Sequence, residues 1–173
     1  PWLTLEITQD GSLIVQDRLR LLLTNGWQGL LLVFFSMWLF FNLKLSLWVV
    51  ASVPVSFLGA LFFMPPLDLT VNMLTMVGML LAIGLLMDDG IVIAENIATH
   101  RERGKSSMEA AVDGVAEVGP GVFASFLTTV CVLGPLVTIE GDIGKVLKVV
   151  PIMLILVMGV SLIEAFMILP SHL

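Results

Sequence analysis

Charge is what this chain has least of. Only 13% of its 173 residues are Asp, Glu, Lys or Arg, against 58% hydrophobic, a balance that excludes an ordinary soluble globule and predicts a membrane protein. Cations are the scarcer sign, eight Lys and Arg against fourteen acids, and the resulting net charge of −6 is scattered along the chain instead of forming a tail. That excludes a nucleic-acid partner as a reading of the charge. A single cysteine, Cys131, excludes an intrachain disulfide, and its apolar setting reads as that of a small buried hydrophobe. His100 and His172 have no companion at metal-ligand spacing, so no metal and no cofactor is expected. The chain opens on Pro1 without an initiator Met and stops just after an apolar run, at "LPSHL", which predicts an internal piece of a longer protein.

What is present is apolar length. A bilayer core of roughly 30 Å needs about 20 apolar helical residues, and five stretches supply them, near 24–41, 45–64, 73–94, 119–139 and 149–169. The expected fold class is therefore all-α integral membrane, a five-helix transmembrane bundle. Trp27 is placed where an interfacial aromatic would sit. Pro54 and Pro135 fall inside spans, where neighbouring helices and Ser/Thr hydroxyls can make good the freed carbonyls. Residues 1–20 read as the end of an extramembrane domain, with "LTLEIT" alternating like a strand, followed by a charged helix entry. Residues 21–173 read as the transmembrane domain. Its long connection, 95–118, has room for the third helix to run on and for a separate interfacial helix capped by Ser106 or Ser107. Lys44, Arg101, Arg103 and Lys105 against Lys145 and Lys148 favour a cytoplasmic loop; Arg18 and Arg20 would even the count, but they belong to the leading segment, and long extramembrane domains translocate largely regardless of charge.

Within the third span, "LLMDDGIVIAEN" sets Asp88 and Asp89 in an otherwise aliphatic run. A central Asp costs roughly 2.5 to 3.5 kcal/mol on the insertion scale, so the pair costs roughly 5 to 7, while the span's ten Leu, Ile and Val residues return about 3 to 6. Such a helix must be packed in a bundle, wetted, or neutralised by protons. Desolvation and like-charge repulsion both favour holding a proton, which is what a reversible proton site requires. Gly78, Gly84 and Gly90 allow another backbone to come close. Glu95 and Asn96, each seven residues beyond one of the acids, would extend a polar track outward. Glu164 is the other intramembrane acid, roughly 8 Å from the end of its span, near enough for partial escape to the interface. No Lys or Arg falls inside any span, so a cationic partner for the aspartates would come from chain outside this sequence.

The stretch from Val71 to Asn96, "VNMLTMVGMLLAIGLLMDDGIVIAEN", resembles the fourth transmembrane helix of resistance-nodulation-division (RND) efflux pumps. The order of "NGWQGLLLV", "VPVSFLGA", "GKSSMEAAVDG", "LTTVCVLGPL", "EGDIGKV" and "SLIEAFMILPSHL" fits the same family. The resemblance covers about residues 10–173 and implies helices two to six of about twelve, half of an RND transmembrane domain. It implies a proton/substrate antiporter of the hydrophobe and amphiphile (AcrB-like) branch in the bacterial inner membrane, not an enzyme, driven by the proton motive force. Asp88 and Asp89 would be its proton relay, with a Lys of the second half as counter-ion. A homotrimer, a periplasmic adaptor and an outer-membrane channel are the implied partners. Gly90, where Ala is usual, is a small-for-small departure. The alternatives are a heavy-metal efflux branch, which more often keeps a single Asp here, and an accessory subunit of an RND-like export or translocation system.

Overall fold

A computed structural model describes residues 11–41 and 43–172. The strand expected at "LTLEIT" lies outside them. The described residues are helical and contain no strand: α1 (Gly11–Phe40), α2 (Leu43–Phe63), a 3₁₀ turn (Pro65–Leu67), α3 (Met73–Glu102), α4 (Ser107–Val137), a short α5 (Gly141–Leu147), α6 (Val149–Ile163), a π-helical turn (Glu164–Ile168) and a last turn α7 (Leu169–His172). Five helices are long and apolar enough to cross a membrane, the fifth being α6 with its π turn. The chain is a multi-pass, all-α membrane protein.

Local chemistry fixes where these helices start. Asn72 Oδ1 accepts from the backbone N–H groups of Leu74 (2.9 Å) and Thr75 (3.1 Å), and Thr75 Oγ1 accepts in return from Asn72 N–H at 2.8 Å, a reciprocal cap that starts α3. Ser106 and Glu109 make the same arrangement at the start of α4. Between α3 and α4 the chain reverses at Gly104, whose φ of +88° is open to glycine at little cost.

α3 is the centre of the bundle. It packs on α6, α4, α1 and α2, and two apolar clusters hold it there. One joins Ile93, Ala94 and Ile97 to Leu45, Val49, Val122 and Ala165. The other joins Met76, Met79, Ala82 and Leu86 to Val53, Ala60, Met153, Leu154 and Val157. Close approach depends on small residues: a Cβ on Gly78 would lie 2.9 Å from Met153 Cβ, and one on Gly114 3.0 Å from the backbone of Ile97. Elsewhere large side chains such as Leu32, Phe35, Leu39, Phe62 and Val132 point outward, the inverse of a soluble core and the surface a lipid environment accepts.

Three expectations change. The separate interfacial helix does not exist: α4 runs unbroken from Ser107 to Val137, carrying Pro120 and Pro135 inside it. The serine cap forms as expected, at Ser106, but it caps the spanning helix itself. Cys131 is exposed, not buried, as a small hydrophobe on an outward-facing surface. The chain between the fourth and fifth spans folds into α5. Ser52 Oγ does bond a carbonyl near Pro54, but that of Val49 at 2.7 Å, one residue before the carbonyl that the proline frees.

Candidate functional site

The two aspartates share a helix and differ in surroundings. Asp88 is exposed and Asp89 half-buried, because consecutive helical positions turn by about 100°. Asp89 is seven residues past Ala82 and four before Ile93, both fully buried, so its stem follows the packed face of α3. Asp88 stands on the opposite side, in line with Leu81, Gly84, Leu85, Val92 and Glu95, all exposed. The three glycines accordingly do different work. Gly78 lets α6 in, Gly90 is buried with Ser52 Oγ of α2 3.8 Å from where its Cβ would be, and Gly84 has open space around it. An apolar strip with an acid at its middle is thus left uncovered on the central helix.

Ion pairs among the described residues lie elsewhere. Lys105 Nζ donates to Asp113 Oδ2 at 2.7 Å, and His100 Nε2 meets Glu117 Oε2 at 2.8 Å, both at the turn joining α3 to α4. No group of three or more His, Cys, Asp or Glu side chains capable of holding a metal ion occurs among the described residues.

Of the suggested polar track, Glu95 is exposed about two turns beyond Asp88, on the same uncovered strip. Asn96 is engaged differently: its Nδ2 donates to Gly114 O at 2.9 Å and to Glu117 Oε2 at 3.2 Å. With His100, one turn further along α3 and 6% exposed, it clamps the protruding ends of α3 and α4 together. The hydrogen bonds from His100 and Asn96 hold the Glu117 carboxyl below its ordinary range. The sequence reading gives His100 no role, yet a signal is there: Asn96 and His100 are four apart on α3, and Asp113 and Glu117 four apart on α4. Glu164, expected to reach toward an interface, is instead 5% exposed, with Oε2 unpartnered. A π turn begins at this residue.

Comparison with known proteins places this geometry in a family. The profile of the AcrB/AcrD/AcrF family matches residues 2–172. Multidrug resistance protein MdtC of Salmonella paratyphi B (strain ATCC BAA-1250 / SPB7) is 31% identical over 167 residues, 96% of this chain and 16% of that protein. MdtC of Escherichia coli (strain K12) is 31% identical over 119 residues, 69% of this chain and 12% of that protein. The chain therefore spans about a sixth or less of the length of these relatives. A helical bundle built around an acid-bearing central helix, matched almost end to end by the family's profile, makes this chain a member of the AcrB/AcrD/AcrF family of RND transporters.

Proposed function

We propose that this chain is the membrane-embedded part of a proton-driven exporter of drugs or other amphiphiles, with Asp88 and Asp89 as the groups that take up and release the proton. The observation that carries the reading is the Asp-bearing strip on α3: two acids in an apolar helix, one exposed and one half-buried, with no Lys or Arg in any of the five apolar stretches to neutralise them. Two acids and relatives named for multidrug resistance favour drugs over heavy metals as cargo.

In the mechanism, chain outside this sequence covers the strip and brings a cation to the pair. Protonation from the periplasmic side cancels the aspartates' charge and weakens that pairing, so the covering helices shift. Release to the cytoplasm restores it. An ion pair of this kind suits a switch because in a low-dielectric setting gaining or losing one proton changes the interaction by several kcal/mol. Glu95, further along the strip, continues a polar exit toward the end where α3 and α4 meet, which is the cytoplasmic end. Asn96 supports that exit by holding α4 in place. The full protein works in the bacterial inner membrane as a homotrimer, with a periplasmic adaptor and an outer-membrane channel.

The test is drug efflux by the full-length protein carrying Asp88→Asn or Asp89→Asn. Each variant keeps the shape and removes the titration, so each is expected to reduce transport to background at unchanged abundance. An accessory subunit of an export system would tolerate both changes, and tolerance would sink the proposal.

A further inference from the structure

The aspartates are not the only polar groups enclosed by this bundle. Glu164 is buried, its Oε2 has no hydrogen-bond partner, and on the facing helix α2 Ser56 is fully buried with its Oγ likewise unpartnered. Register brings the two together. α2 and α6 run antiparallel, since Leu45 and Val49 at the start of α2 cluster with Ala165, while Ala60 and Met64 at its end cluster with Met153, Leu154 and Val157. Their close approach is at Gly59, where a Cβ would run into Val160. Ser56 lies one turn before Gly59 and Glu164 one turn after Val160, so both unpartnered oxygens sit at one level of the interface. Ser161, 4% exposed, adds a third buried polar side chain one turn before Glu164. The helix also changes form there, from α to π at Glu164–Ile168, a local widening that concentrates at functional positions.

Among the described residues no ion pair reaches Glu164. α2 has no ionisable residue after Lys44, α6 none between Lys148 and Glu164, and α4 none from Val118 to Val137 other than the exposed thiol of Cys131, with Glu117 the nearest acid. α3 carries Asp88, Asp89 and Glu95, then His100, Arg101 and Glu102 in its last turn, of which His100 is buried with its Nδ1 unpartnered, and α7 ends with His172. A carboxylate enclosed without donor or counter-charge is costly, whereas the neutral acid has an O–H to give and a serine oxygen able to accept it.

We propose that Glu164 and Ser56 form a second proton-binding site, inside this half of the bundle and separate from the aspartate pair, that loads and unloads during transport. Loading places one proton on Oε2, and a rotation of the glutamate side chain lets that O–H donate to Ser56 Oγ; unloading returns the carboxylate. Its part in a transport cycle rests on the proton-driven reading above, while the site itself does not.

The experiment is infrared difference spectroscopy of the full-length protein in lipid nanodiscs, stepped between alkaline and acidic pH. A carbonyl stretch of a protonated carboxylic acid should appear on acidification, be lost in Glu164→Gln, survive in Asp88→Asn and Asp89→Asn, and change frequency in Ser56→Ala. If Glu164→Gln leaves the pH-dependent bands unaltered, or removes a band that never responded to pH, the proposal is overturned. Should Glu164→Gln fail to assemble, Ser56→Ala decides alone, with an unshifted spectrum counting against the site. Because the aspartate variants are read separately by efflux, failure here and failure of the relay are distinguishable.

Discussion

The two sides of α3 teach different things. One side is closed: Met76, Met79, Ala82, Leu86, Ile93, Ala94 and Ile97 are buried against α2, α4 and α6, and Gly78 is spent on letting α6 approach. The other side is open: Leu81, Gly84, Leu85, Asp88, Val92 and Glu95 meet no comparable neighbour. On the closed side an extra methyl has nowhere to go. On the open side the apolar strip could simply face lipid, were it not for Asp88, because a charged or hydrogen-bonding group at that depth is tolerated only where protein or water meets it. The side that is packed accounts for the fold, and the side that is unpacked accounts for the proposed function.

Substitutions can break this contrast. The largest effect is expected on transport: Asp88→Asn in the full-length protein should lower proton-coupled efflux at least about a hundredfold, roughly 2.7 kcal/mol in the barrier, while the thermal transition of the purified protein stays where it was. A variant that lost stability and transport together would mean that Asp88 holds the fold.

Next come the glycines. Gly78→Ala should cost about 1 to 3 kcal/mol by overpacking, since its Cβ would press on Met153 Cβ and the Val150 carbonyl. Gly84→Ala, with open space around it, should leave the stability of this chain unchanged or raise it by up to about 1 kcal/mol through helix propensity. Denaturation of the two variants side by side in detergent measures the difference; equal losses would contradict the assignment of closed and open faces.

A smaller effect belongs to the helix start. Ser106→Ala removes the hydroxyl that caps α4 and should cost about 1 kcal/mol, seen as faster amide exchange in the first turn of α4 with the spans unaffected.

Smallest is the pH response of the α3–α4 clamp. Glu117 is held below its ordinary carboxylate range by His100 and Asn96, so its contribution is present above the ordinary glutamate value of about 4.3 and fades as pH falls through the lowered folded value. The protection of amides near Asn96 and Gly114, measured relative to their intrinsic exchange rate at each pH, should therefore be flat from neutral pH down to that range. Loosening already between neutral pH and that range would contradict the clamp.

Much of the fold is legible in the amino-acid order alone. The apolar runs set the five spans, because hydrocarbon demands internally bonded helices of one minimum length. The cap at Ser106 is equally readable, since a serine three residues before a glutamate satisfies two free donors at once. Where helices merge is not readable. "EVGPG" at 117–121 carries the residues that end soluble helices, yet α4 continues through it, and Gly119 instead makes room for the Phe166 ring. The site is legible in part. Asp88 and Asp89 announce themselves by cost alone, but which of them faces out depends on packing partners far along the chain. Glu164 is legible as an intramembrane acid but its burial is not, for a related reason: distance from a helix end suggests escape to water, whereas in the bundle it is enclosed. Asn96 and His100 become a clamp only because α4 lies alongside them.

The most direct test of the account is the proton flux that accompanies export. Full-length protein in vesicles, with a pH-sensitive dye inside and an imposed pH gradient, should move protons with drug when unaltered, and should move neither when Asp88 and Asp89 are both changed to Asn. Drug transport that still drives protons in the double variant would contradict the claim that this pair carries them.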